Sequence, residues 1–491
     1  AIEAVREARI EHGADIVVFP ELFLSGYPPE DLLLRPSMET RLREARAVMA
    51  EKVSRDVLVI IGYPGVREGV CYNLAGILYN GQWEAEYAKQ ALPNYQVFDE
   101  QRYFAPGQEA LVYEHKGVRL GLLICEDLWE GTPVKAACAQ GAEVLVTLNA
   151  SPYHQDKPSE RLRLLEQRAA EAQRPIVYVN TIGGQDELVF DGGSGCVDAS
   201  GELKVLAPYW QAGLMPVQLL QQSADQWVPQ PGEIEVDSTA EESLYCALVT
   251  GVRDYVNKSG FKGVVIGLSG GIDSALTLAI AVDALGPQRV QAVMMPYHYT
   301  ADISRQDAAE QAELLGVHYE IMPIEPMVEA FMGTLAESFA GTEQDTTEEN
   351  LQSRCRGVLL MAISNKKGLM VLTTGNKSEM AVGYATLYGD MVGGYNALKD
   401  VYKTWVYRLA RWRNQESLAV PERVIERPPS AELAPDQQDS DSLPDYDTLD
   451  AILMRYIEGD MSAEAIIDAG FAREAVYQVV KLVDRCEYKR R

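Results

Sequence analysis

The segment Val264–Ile280, VVIGLSGGIDSALTLAI, constrains the fold more than any other stretch of this sequence. A short apolar run ends at Ser-Gly-Gly, and an apolar helical pattern follows directly. Such a strand–turn–helix unit is typical of α/β domains. Its turn can hold phosphate, because backbone N–H groups and the helix dipole both favour an anion. A helix N-cap made of Ser and Gly is the alternative interpretation.

The turn departs from the usual ATPase loop. It lacks the GxxxxGK[ST] pattern, which argues against a kinase or motor that acts on a γ-phosphate. Ser269 and Ser274 supply hydroxyl donors, and Gly270 and Gly271 permit a tight turn. Asp273 is a carboxylate beside the expected phosphate. That arrangement makes chemical sense only with a metal ion between them, and Mg²⁺ would serve.

Composition limits the class of protein. The length of 491 residues allows two or three domains. A net charge of −28 and a pI near 4.6 argue against nucleic-acid binding, which normally needs a basic face. The seven cysteines form no CxxC pair, which favours reduced thiols over a disulfide framework or zinc site. No membrane-length apolar stretch or signal peptide is visible, so we expect a cytoplasmic protein with no membrane partner.

The chain has the pattern of two α/β units. Apolar β-type runs alternate with helical stretches from Asp15 to about Cys196, which predicts a layered domain. The periodicity dissolves around Gly201–Ser238, which we interpret as a boundary and linker. A second unit begins near Glu241. The opening AIEAVREARIEHGADIVVFPE already has the pattern of a helix followed by a strand, so we expect the chain to begin inside a domain.

Three chemically active residues each end a β-type run of the first unit. Glu21 ends ADIVVFPE, Lys89 ends WEAEYAK and Cys125 ends VRLGLLIC. Strand ends converge on pockets in layered α/β domains. A thiol can attack an amide carbonyl while a carboxylate takes its proton and an ammonium stabilises the oxyanion. Taken singly, each residue has an alternative interpretation: Glu21 as a cap, Lys89 as a surface cation and Cys125 as a buried core thiol.

The second unit resembles known families. SGGIDSA resembles the pyrophosphate-binding loop of the ATP pyrophosphatases, which split ATP into AMP and PPi to activate an acyl or carbonyl oxygen. Three further segments resemble NAD synthetases: TTEENLQSRCRG (Thr346–Gly357), LTTGNKSEMAVGYATLYGDMVGGYNALKDVYKT (Leu372–Thr404) and PPSAEL (Pro428–Leu433). The family usually has arginine where this sequence has His298, so an anion contact there would be weakened or pH-dependent.

This resemblance implies specific site residues. It implies ATP contacts at Gly267, Leu268, Ser269, Gly270, Gly271, Ile272, Asp273, Ser274 and Thr374. It implies contacts to deamido-NAD⁺ at Asn350, Glu379, Asp390, Lys399, Lys403 and Lys489. It also implies that Asp273 and Glu379 hold Mg²⁺. A solvated helix face is the alternative interpretation of Lys399 and Lys403.

The first unit resembles the nitrilase-type carbon–nitrogen hydrolases, in the variant fused to NAD synthetase. FPELFLSGYPPEDLL, YAKQALPNYQVFDEQRYF and ICEDLW carry the resemblance, which continues through NASPYH and GGQDELVFDGGS. It implies Glu21 as general base, Lys89 as the cation beside the oxyanion and Cys125 as nucleophile. It places glutamine against Tyr95, Glu126, Ser151 and Lys157. The family's usual first strand would precede Ala1, so the resemblance does not predict which strand forms the edge of the sheet.

Together the two resemblances predict an α/β chain in three parts. Residues 1–205 are expected to form a nitrilase-like α-β-β-α sandwich, 206–240 a linker, and 241–491 a doubly wound parallel-sheet, Rossmann-like ATP-pyrophosphatase domain. The implied function is glutamine-dependent NAD⁺ synthesis. Ammonia released from glutamine by the first domain would be channelled to deamido-NAD⁺ adenylated by ATP in the second.

The implied partners are the small molecules glutamine, ATP and deamido-NAD⁺, with Mg²⁺ and other copies of the chain in a homo-oligomer. Another amidating ATP pyrophosphatase, which forms GMP or asparagine, is the nearest alternative. A tRNA-modifying relative of the same loop is a second alternative, disfavoured by the acidic charge. A non-catalytic scaffold built on decayed domains is a third, disfavoured by the complete triad and phosphate loop.

Overall fold

The structure, a computed structural model, describes residues 1–223, 225–235, 238–429, 433 and 443–490. It divides the chain into two compact units, Ala1–Ser238 and Thr239–Arg491. Among the described residues, no helix combines the length and apolarity needed to cross a membrane. Ser430–Glu432 of the PPSAEL segment lie outside the described residues.

In the described part of the first unit there are five α-helices and fourteen strands. Its helices are α1 (Ile2–His12), α2 (Pro36–Lys52), α3 (Glu126–Glu130), α4 (Thr132–Ala139) and α5 (Lys157–Ala172). Its strands are β1 (Ile16–Val18), β2 (Leu58–Arg67), β3 (Val70–Tyr79), β4 (Gln82–Ala88), β5 (Val112–His115), β6 (Val118–Ile124), β7 (Val144–Asn149), β8 (Ile176–Asn180), β9 (Ile182–Gln185), β10 (Leu188–Asp191), β11 (Gly195–Val197), β12 (Leu203–Leu206), β13 (Leu219–Ser223) and β14 (Gln226–Pro229).

Two sheets form the centre of this unit, one ordered β1-β2-β3-β4 and one ordered β12-β11-β8-β7-β6-β5. The side chains of β2 explain the layering, because successive residues of a strand point to opposite faces. Leu58 and Ile60 pack between the sheets, whereas Val59 and Ile61 pack against α1 and α2. Helices α4 and α5 cover the outer face of the second sheet. The predicted α-β-β-α sandwich is confirmed.

The stretch interpreted as a linker contains regular structure. Strands β13 and β14 pair antiparallel, and β12 pairs with β11 at the edge of the six-stranded sheet. Exposed polar residues such as Gln221 and Ser223 interrupt the apolar pattern of β13, so its periodicity did not predict a strand. The boundary between the two compact units follows Ser238.

The second unit is built on one sheet. Its helices are α6 (Ala240–Lys258), α7 (Ile272–Leu285), α8 (Asp302–Leu315), α9 (Glu325–Leu335), α10 (Thr346–Lys367), α11 (Lys377–Val382), α12 (Lys403–Glu416), α13 (Glu422–Glu426), α14 (Tyr446–Leu453), α15 (Ala463–Asp468) and α16 (Arg473–Arg485). Its strands are β15 (Val264–Gly267), β16 (Val290–Met294), β17 (His318–Ile321), β18 (Met370–Thr373) and β19 (Tyr395–Asn396).

The sheet has the order β17-β16-β15-β18-β19, and every pairing in it is parallel. Helices cover both faces. Val264 and Ile266 pack against α6 and α7, whereas Val265 between them packs against α9 and α10. This confirms the predicted doubly wound parallel sheet. The chain order reverses between β15 and β18, and such a switch point at the carboxyl edge is where ligands bind in open α/β sheets.

Candidate active sites

Three strand ends bring the predicted triad of the first unit together. Glu21 follows β1, Lys89 follows β4 and Cys125 follows β6, and all three are buried. Gly62 of β2 makes room for this arrangement, because a Cβ there would lie 2.4 Å from the backbone nitrogen of Leu22. The Glu21 carboxylate and the Lys89 ammonium both act on the pKa of the Cys125 thiol, which places the three side chains near one another.

The Lys89 ammonium lies between two carboxylates. Its Nζ donates to Glu21 Oε1 at 2.7 Å and lies 2.8 and 2.9 Å from the two Glu100 oxygens. Asn73 Nδ2 donates to Glu21 Oε1 at 2.7 Å, and the backbone N–H of Ala150 donates to Oε2 at 3.0 Å. Both oxygens of Glu21 are therefore fixed, so the carboxylate is held in one orientation.

Glu100 is a site residue that the sequence analysis missed. It lies inside the segment YAKQALPNYQVFDEQRYF that carried the family resemblance, but in a 3₁₀ turn, Glu100–Arg102, rather than at a strand end. Its side chain is buried, and Tyr27 OH donates to its Oε1 at 2.9 Å. A glutamate in a polar loop has no sequence pattern that predicts burial, so only the fold identifies it.

Cys125 occupies a sharp turn from strand to helix. Its φ of 45° and ψ of −96° lie outside the favoured regions; such a conformation costs a non-glycine residue about 1–3 kcal/mol and is typical of active sites. The Asp127 carboxylate holds this turn. It accepts from the backbone N–H of Ile124 at 2.9 Å, and from those of Gln90 and Ala91 at 3.0 and 2.8 Å. Because the latter two directly follow Lys89, Asp127 ties the lysine segment to the nucleophile's turn.

Burial determines the charge state of the thiol. Desolvation raises the pKa of Cys125 well above its ordinary value, and the Glu21 carboxylate raises it further, while Lys89 opposes both. Burial would lower the pKa of Lys89, but the carboxylates of Glu100 and Glu21 outweigh it and raise that pKa. The resting site thus holds a neutral thiol beside a charged ammonium, and a thiolate forms only when a base takes the proton.

The predicted glutamine-binding residues lie on segments that adjoin the turn at Cys125 or the neighbouring strand β7. Tyr95 OH donates to the Glu126 carboxylate at 3.0 Å. This hydrogen bond links Tyr95 to the residue that directly follows the nucleophile. Ser151 is buried beyond the end of β7. The Lys157 ammonium lies 4.1 Å from the ring centre of Trp129, which belongs to the helix that follows Cys125.

The phosphate loop of the second unit is organised by its own hydroxyls. Ser269 Oγ lies 3.0 Å from Ser274 Oγ and accepts from the Gly271 N–H at 3.2 Å. Ser274 Oγ donates to the Gly271 carbonyl at 3.0 Å. Gly270 has a φ of +83°, and a Cβ there would lie 2.3 Å from the carbonyl oxygen of Ser304 on α8. Only glycine fits that position.

A cavity of about 260 Å³ opens over this loop. It is lined by these predicted ATP-binding residues: Gly267, Leu268, Ser269, Gly271, Ile272, Asp273, Ser274 and Thr374. A second cavity of about 210 Å³ contains the exposed Lys399. Glu379 and Asp390 line both cavities, which therefore adjoin. The two together offer one continuous binding region at the carboxyl edge of the sheet.

Two predicted metal ligands converge on one cation, the Lys403 ammonium. Nζ of Lys403 lies 2.5 Å from Asp273 Oδ2 and 2.9 Å from Glu379 Oε1. Asn376 Nδ2 donates to the other oxygen of Asp273 at 2.8 Å. Burial would lower the pKa of Lys403, but the two carboxylates outweigh it and raise that pKa. Lys403 is buried, so the alternative of a solvated helix face is wrong for this residue.

The remaining predicted residues support the wall of this region. Asp390 Oδ1 accepts from the Thr386 N–H at 2.6 Å, and the Thr386 hydroxyl donates to Asn350 Oδ1 at 2.8 Å. Lys489 Nζ donates to the carbonyls of residues 383 and 385 at 2.7 and 2.6 Å. Asn350 and Lys489 thus hold the segment that carries Asp390. His298 is more than half exposed and lies 3.1 Å from a Glu325 oxygen.

Family models match both units. The carbon–nitrogen hydrolase model matches residues 1–228, and the NAD synthase model matches residues 244–491. The glutamine-dependent NAD(+) synthetase of Acinetobacter baylyi is 50% identical over 495 residues, which cover 100% of this chain and 90% of that protein. The enzyme of the same name from Thermotoga maritima is 44% identical over 531 residues, covering 100% and 91%.

A solved structure agrees with these relatives. Glutamine-dependent NAD⁺ synthetase from Acinetobacter baumannii, in complex with ADP, is 47% identical, covers 100% of this chain and 90% of its own, and superposes with a TM-score of 0.83. The glutamine-dependent NAD(+) synthetase of Cytophaga hutchinsonii has the same fold, with a TM-score of 0.80 at 23% identity. The two family models and the identity over the full chain lead to one conclusion: the chain belongs to the glutamine-dependent NAD⁺ synthetases, ATP-dependent ligases that use glutamine as the amido donor.

Proposed function

We propose that the two units divide the synthesis of NAD⁺, with glutamine hydrolysis at Cys125 and amidation of deamido-NAD⁺ in the cavity over Ser269–Ser274. The observation that carries this proposal is the buried Glu21–Lys89–Glu100 network beside a strained cysteine turn. Such a network suits acyl transfer through a thiol. The phosphate-loop cavity in the other unit suits cleavage of ATP.

In the first unit, the Cys125 sulfur attacks the side-chain amide carbon of glutamine as Glu21 takes the thiol proton. Lys89 stabilises the oxyanion that develops on the former carbonyl oxygen. Glu21 returns the proton to the leaving nitrogen, ammonia departs, and a γ-glutamyl thioester remains. Water then attacks the thioester with Glu21 again as base, which releases glutamate and restores the thiol.

Glu100 keeps Lys89 charged and aimed during these steps. Its two oxygens lie 2.8 and 2.9 Å from Nζ, on the buried side of the network. The ammonium therefore remains a cation while Glu21 accepts and returns a proton. We propose that Tyr95, Glu126, Ser151 and Lys157 bind the amino-acid end of glutamine. Tyr95 contacts Glu126, which directly follows the nucleophile, and Lys157 contacts Trp129 of the helix after Cys125.

In the second unit, a carboxylate oxygen of deamido-NAD⁺ attacks the α-phosphorus of ATP, and PPi leaves. Ammonia attacks the carbonyl carbon of the resulting acyl adenylate, and AMP leaves to give NAD⁺. We propose that Ser269–Ser274 and Thr374 bind ATP, because they line the larger cavity or form its loop. We propose that deamido-NAD⁺ binds in the region lined by Asp390, Lys399 and Lys403. Asn350 and Lys489 would hold the wall of this region in place.

Asp273 and Glu379 are proposed to hold Mg²⁺, which would neutralise phosphate charge during PPi departure. Their fit is supported by the convergence of both carboxylates on one cation. Among the described residues, no group of three or more His, Cys, Asp or Glu side chains could hold a metal. The two carboxylates would therefore supply only part of the oxygen donors of Mg²⁺, and phosphate oxygens would have to supply others.

Isotope competition tests the proposed function. The protein is incubated with ATP, deamido-NAD⁺, Mg²⁺, amide-¹⁵N glutamine and an excess of unlabelled ammonium, and the NAD⁺ is analysed by mass spectrometry. We expect NAD⁺ that is mostly ¹⁵N-labelled, with AMP, PPi and glutamate as co-products. Labelled ammonia that first mixes with the medium would give mostly unlabelled NAD⁺ and contradict channelling. No NAD⁺ from either nitrogen source would contradict the function itself.

A second test concerns the metal. Replacing Asp273 with Asn removes one proposed ligand, so ammonium-dependent turnover should fall and need more Mg²⁺ for half-maximal rate. Wild-type turnover with an unchanged Mg²⁺ requirement would contradict the assignment. We further propose that the protein is cytoplasmic, which is supported by its set of free cysteines. We also propose that it forms a homo-oligomer, which light scattering of the purified chain tests.

A further inference from the structure

The phosphate loop has no lysine of its own, yet the triphosphate of ATP and the PPi product carry several negative charges. Three basic side chains among the described residues line the cavity over the loop: Arg356, Lys403 and Arg427. Lys403 is bound to the carboxylates of Asp273 and Glu379. Besides the proposed Mg²⁺, the two arginines can therefore add positive charge at the phosphate end of the cavity.

The Arg427 guanidinium contacts the backbone of the loop. Its Nη2 donates to the Gly270 carbonyl at 3.4 Å, in the middle of the Ser-Gly-Gly turn. The Arg356 Nε instead donates to the Met295 carbonyl at 3.0 Å, at the end of β16. Arg427 follows α13, so the chain brings it to the loop from a remote part of the sequence.

A buried carboxylate lies beside Arg427. Asp307 on α8 has a fully buried side chain, and its Oδ2 lies 3.9 Å from Arg427 Nη1, an ion-pair contact without a hydrogen bond. Its other oxygen, Oδ1, accepts from Arg423 Nε at 2.7 Å. Arg423 is about half exposed and does not line the cavity, whereas Arg427 does. Asp307 thus has one guanidinium that neutralises it at the surface and a second that projects toward the loop.

The same helix α8 supports the loop itself. A Cβ on Gly270 would lie only 2.3 Å from the Ser304 carbonyl oxygen of α8, so the turn packs directly on this helix. The backbone of the turn and the carboxylate beside Arg427 are therefore carried by one rigid element. A guanidinium held in this way can present two parallel N–H groups to a phosphate, which a lysine ammonium cannot.

We propose that Arg427 binds the β- and γ-phosphates of ATP and the PPi they become, and that Asp307 is its positioning residue. This inference rests on the proposed ATP cleavage in the second unit and adds the side chain that replaces the missing loop lysine. Arg427 stabilises the leaving group without touching the nicotinate carboxylate. Its loss should weaken phosphate binding more than it weakens binding of deamido-NAD⁺.

The test uses the full chain and three arginine variants. Binding of Mg·ATP and Mg·PPi is measured by titration calorimetry, and PPi inhibition is measured in the ammonium-driven assay. Arg427→Gln is expected to weaken both phosphate ligands roughly tenfold, the size of one lost charge-assisted hydrogen bond, with the KM for deamido-NAD⁺ nearly unchanged. Arg427→Lys should recover part of the loss, because it keeps the charge but not the planar fork.

Arg408→Gln is the matched control. Arg408 is a half-exposed arginine of the same unit that pairs with Glu241 and lines neither cavity. Its loss should leave phosphate affinity at the wild-type value. Wild-type PPi affinity in Arg427→Gln, or an equal loss in Arg408→Gln, would overturn the proposal. If Arg427→Gln also lowers the unfolding temperature, the result for Arg427→Lys is used instead. Partial recovery of PPi binding in Arg427→Lys supports the proposal. A variant Arg427→Lys that unfolds at the wild-type temperature but has lost PPi binding completely overturns it. A wild-type chain that makes no NAD⁺ from ammonium would instead contradict the proposed function.

Discussion

At the scale of single residues, Cys125 combines features that oppose each other. Its turn is strained and exposes the thiol to the site, while burial and the Glu21 carboxylate keep that thiol protonated. A free thiolate would react with many electrophiles in the cell. In the proposed mechanism, the buried neutral thiol reacts only when a bound substrate lies beside it and Glu21 takes its proton, so reactivity would be coupled to occupancy of the site.

The raised pKa of Cys125 predicts slow alkylation of the free protein. Because a higher pKa lowers the thiolate fraction at any given pH, iodoacetamide should modify Cys125 slowly at neutral pH, and the rate should still be rising above pH 9. Peptide mass spectrometry over a pH series measures this at Cys125 alone, with half-exposed Cys138 as an internal comparison. A rate that reaches its plateau by pH 7 would show a resting thiolate and contradict the account.

Glu100 is expected to be as important to glutamine hydrolysis as the predicted triad. Glu100→Gln leaves the buried Lys89 with one carboxylate, so glutaminase activity should fall by about 10²–10⁴-fold. NAD⁺ formation from ammonium should persist. The rate of glutamate release, followed by a coupled assay, measures the first effect.

Glu86→Gln is a matched control for that variant. Glu86 is a carboxylate of β4, the strand that ends just before Lys89. It lies 2.7 Å from Arg46 and is not part of the Lys89 network. Glutaminase activity close to wild type is expected for Glu86→Gln. Equal losses in the two variants would indicate general destabilisation and contradict a specific role for Glu100.

At the scale of elements, the phosphate loop depends on its packing against α8. Gly270→Ala meets two penalties, a positive φ that costs an L-residue roughly 1–2 kcal/mol and a Cβ placed 2.3 Å from the Ser304 oxygen. We expect a loss of unfolding free energy of about 2–5 kcal/mol and a loss of ATP binding. Urea unfolding and calorimetry measure the two effects.

Gly260→Ala separates the two penalties. Gly260 has a φ of +74° but nothing within 4 Å of a Cβ, so only the backbone term applies. Its variant should lose roughly 1–2 kcal/mol and bind ATP normally. If Gly270→Ala is no worse than Gly260→Ala, the close approach of loop and α8 has no energetic consequence.

Elements with strong apolar patterns were predictable from sequence, and those without were not. Strands β2, β6, β7 and β15 are continuous apolar runs, because both faces of each are buried. The edge strands β17 and β19 were missed, because His318–Ile321 is partly exposed and Tyr395–Asn396 has only two residues. Tertiary pairing, rather than local pattern, makes these segments strands.

The same contrast holds for the sites. Placement at strand ends suggested Glu21, Lys89 and Cys125, because strand ends converge on pockets in layered α/β domains, and the family resemblance then selected them as a triad. Contacts made by loops were not predictable. Glu100 meets Lys89 through a 3₁₀ turn, and Lys403 enters between Asp273 and Glu379 from the start of α12. Their side chains are buried charges whose partners lie far away in sequence.

At the scale of the whole molecule, each compact unit has its own hydrophobic core and its own reactive centre. Glutamine hydrolysis and amidation are therefore chemically separable. In the proposed mechanism, ammonia is the only species that has to pass from one reaction to the other, since the thioester would stay on Cys125 and the adenylate would stay in the cavity over the phosphate loop. A variant that blocks one reaction should leave the other intact.

The most direct test of this division uses Cys125→Ala, which removes the nucleophile and leaves the second unit unaltered. NAD⁺ formation is measured with ATP, deamido-NAD⁺ and Mg²⁺, first with glutamine and then with ammonium as nitrogen source. The account predicts no NAD⁺ from glutamine and a near wild-type rate from ammonium. A variant that still uses glutamine, or one that ammonium fails to rescue, would contradict it.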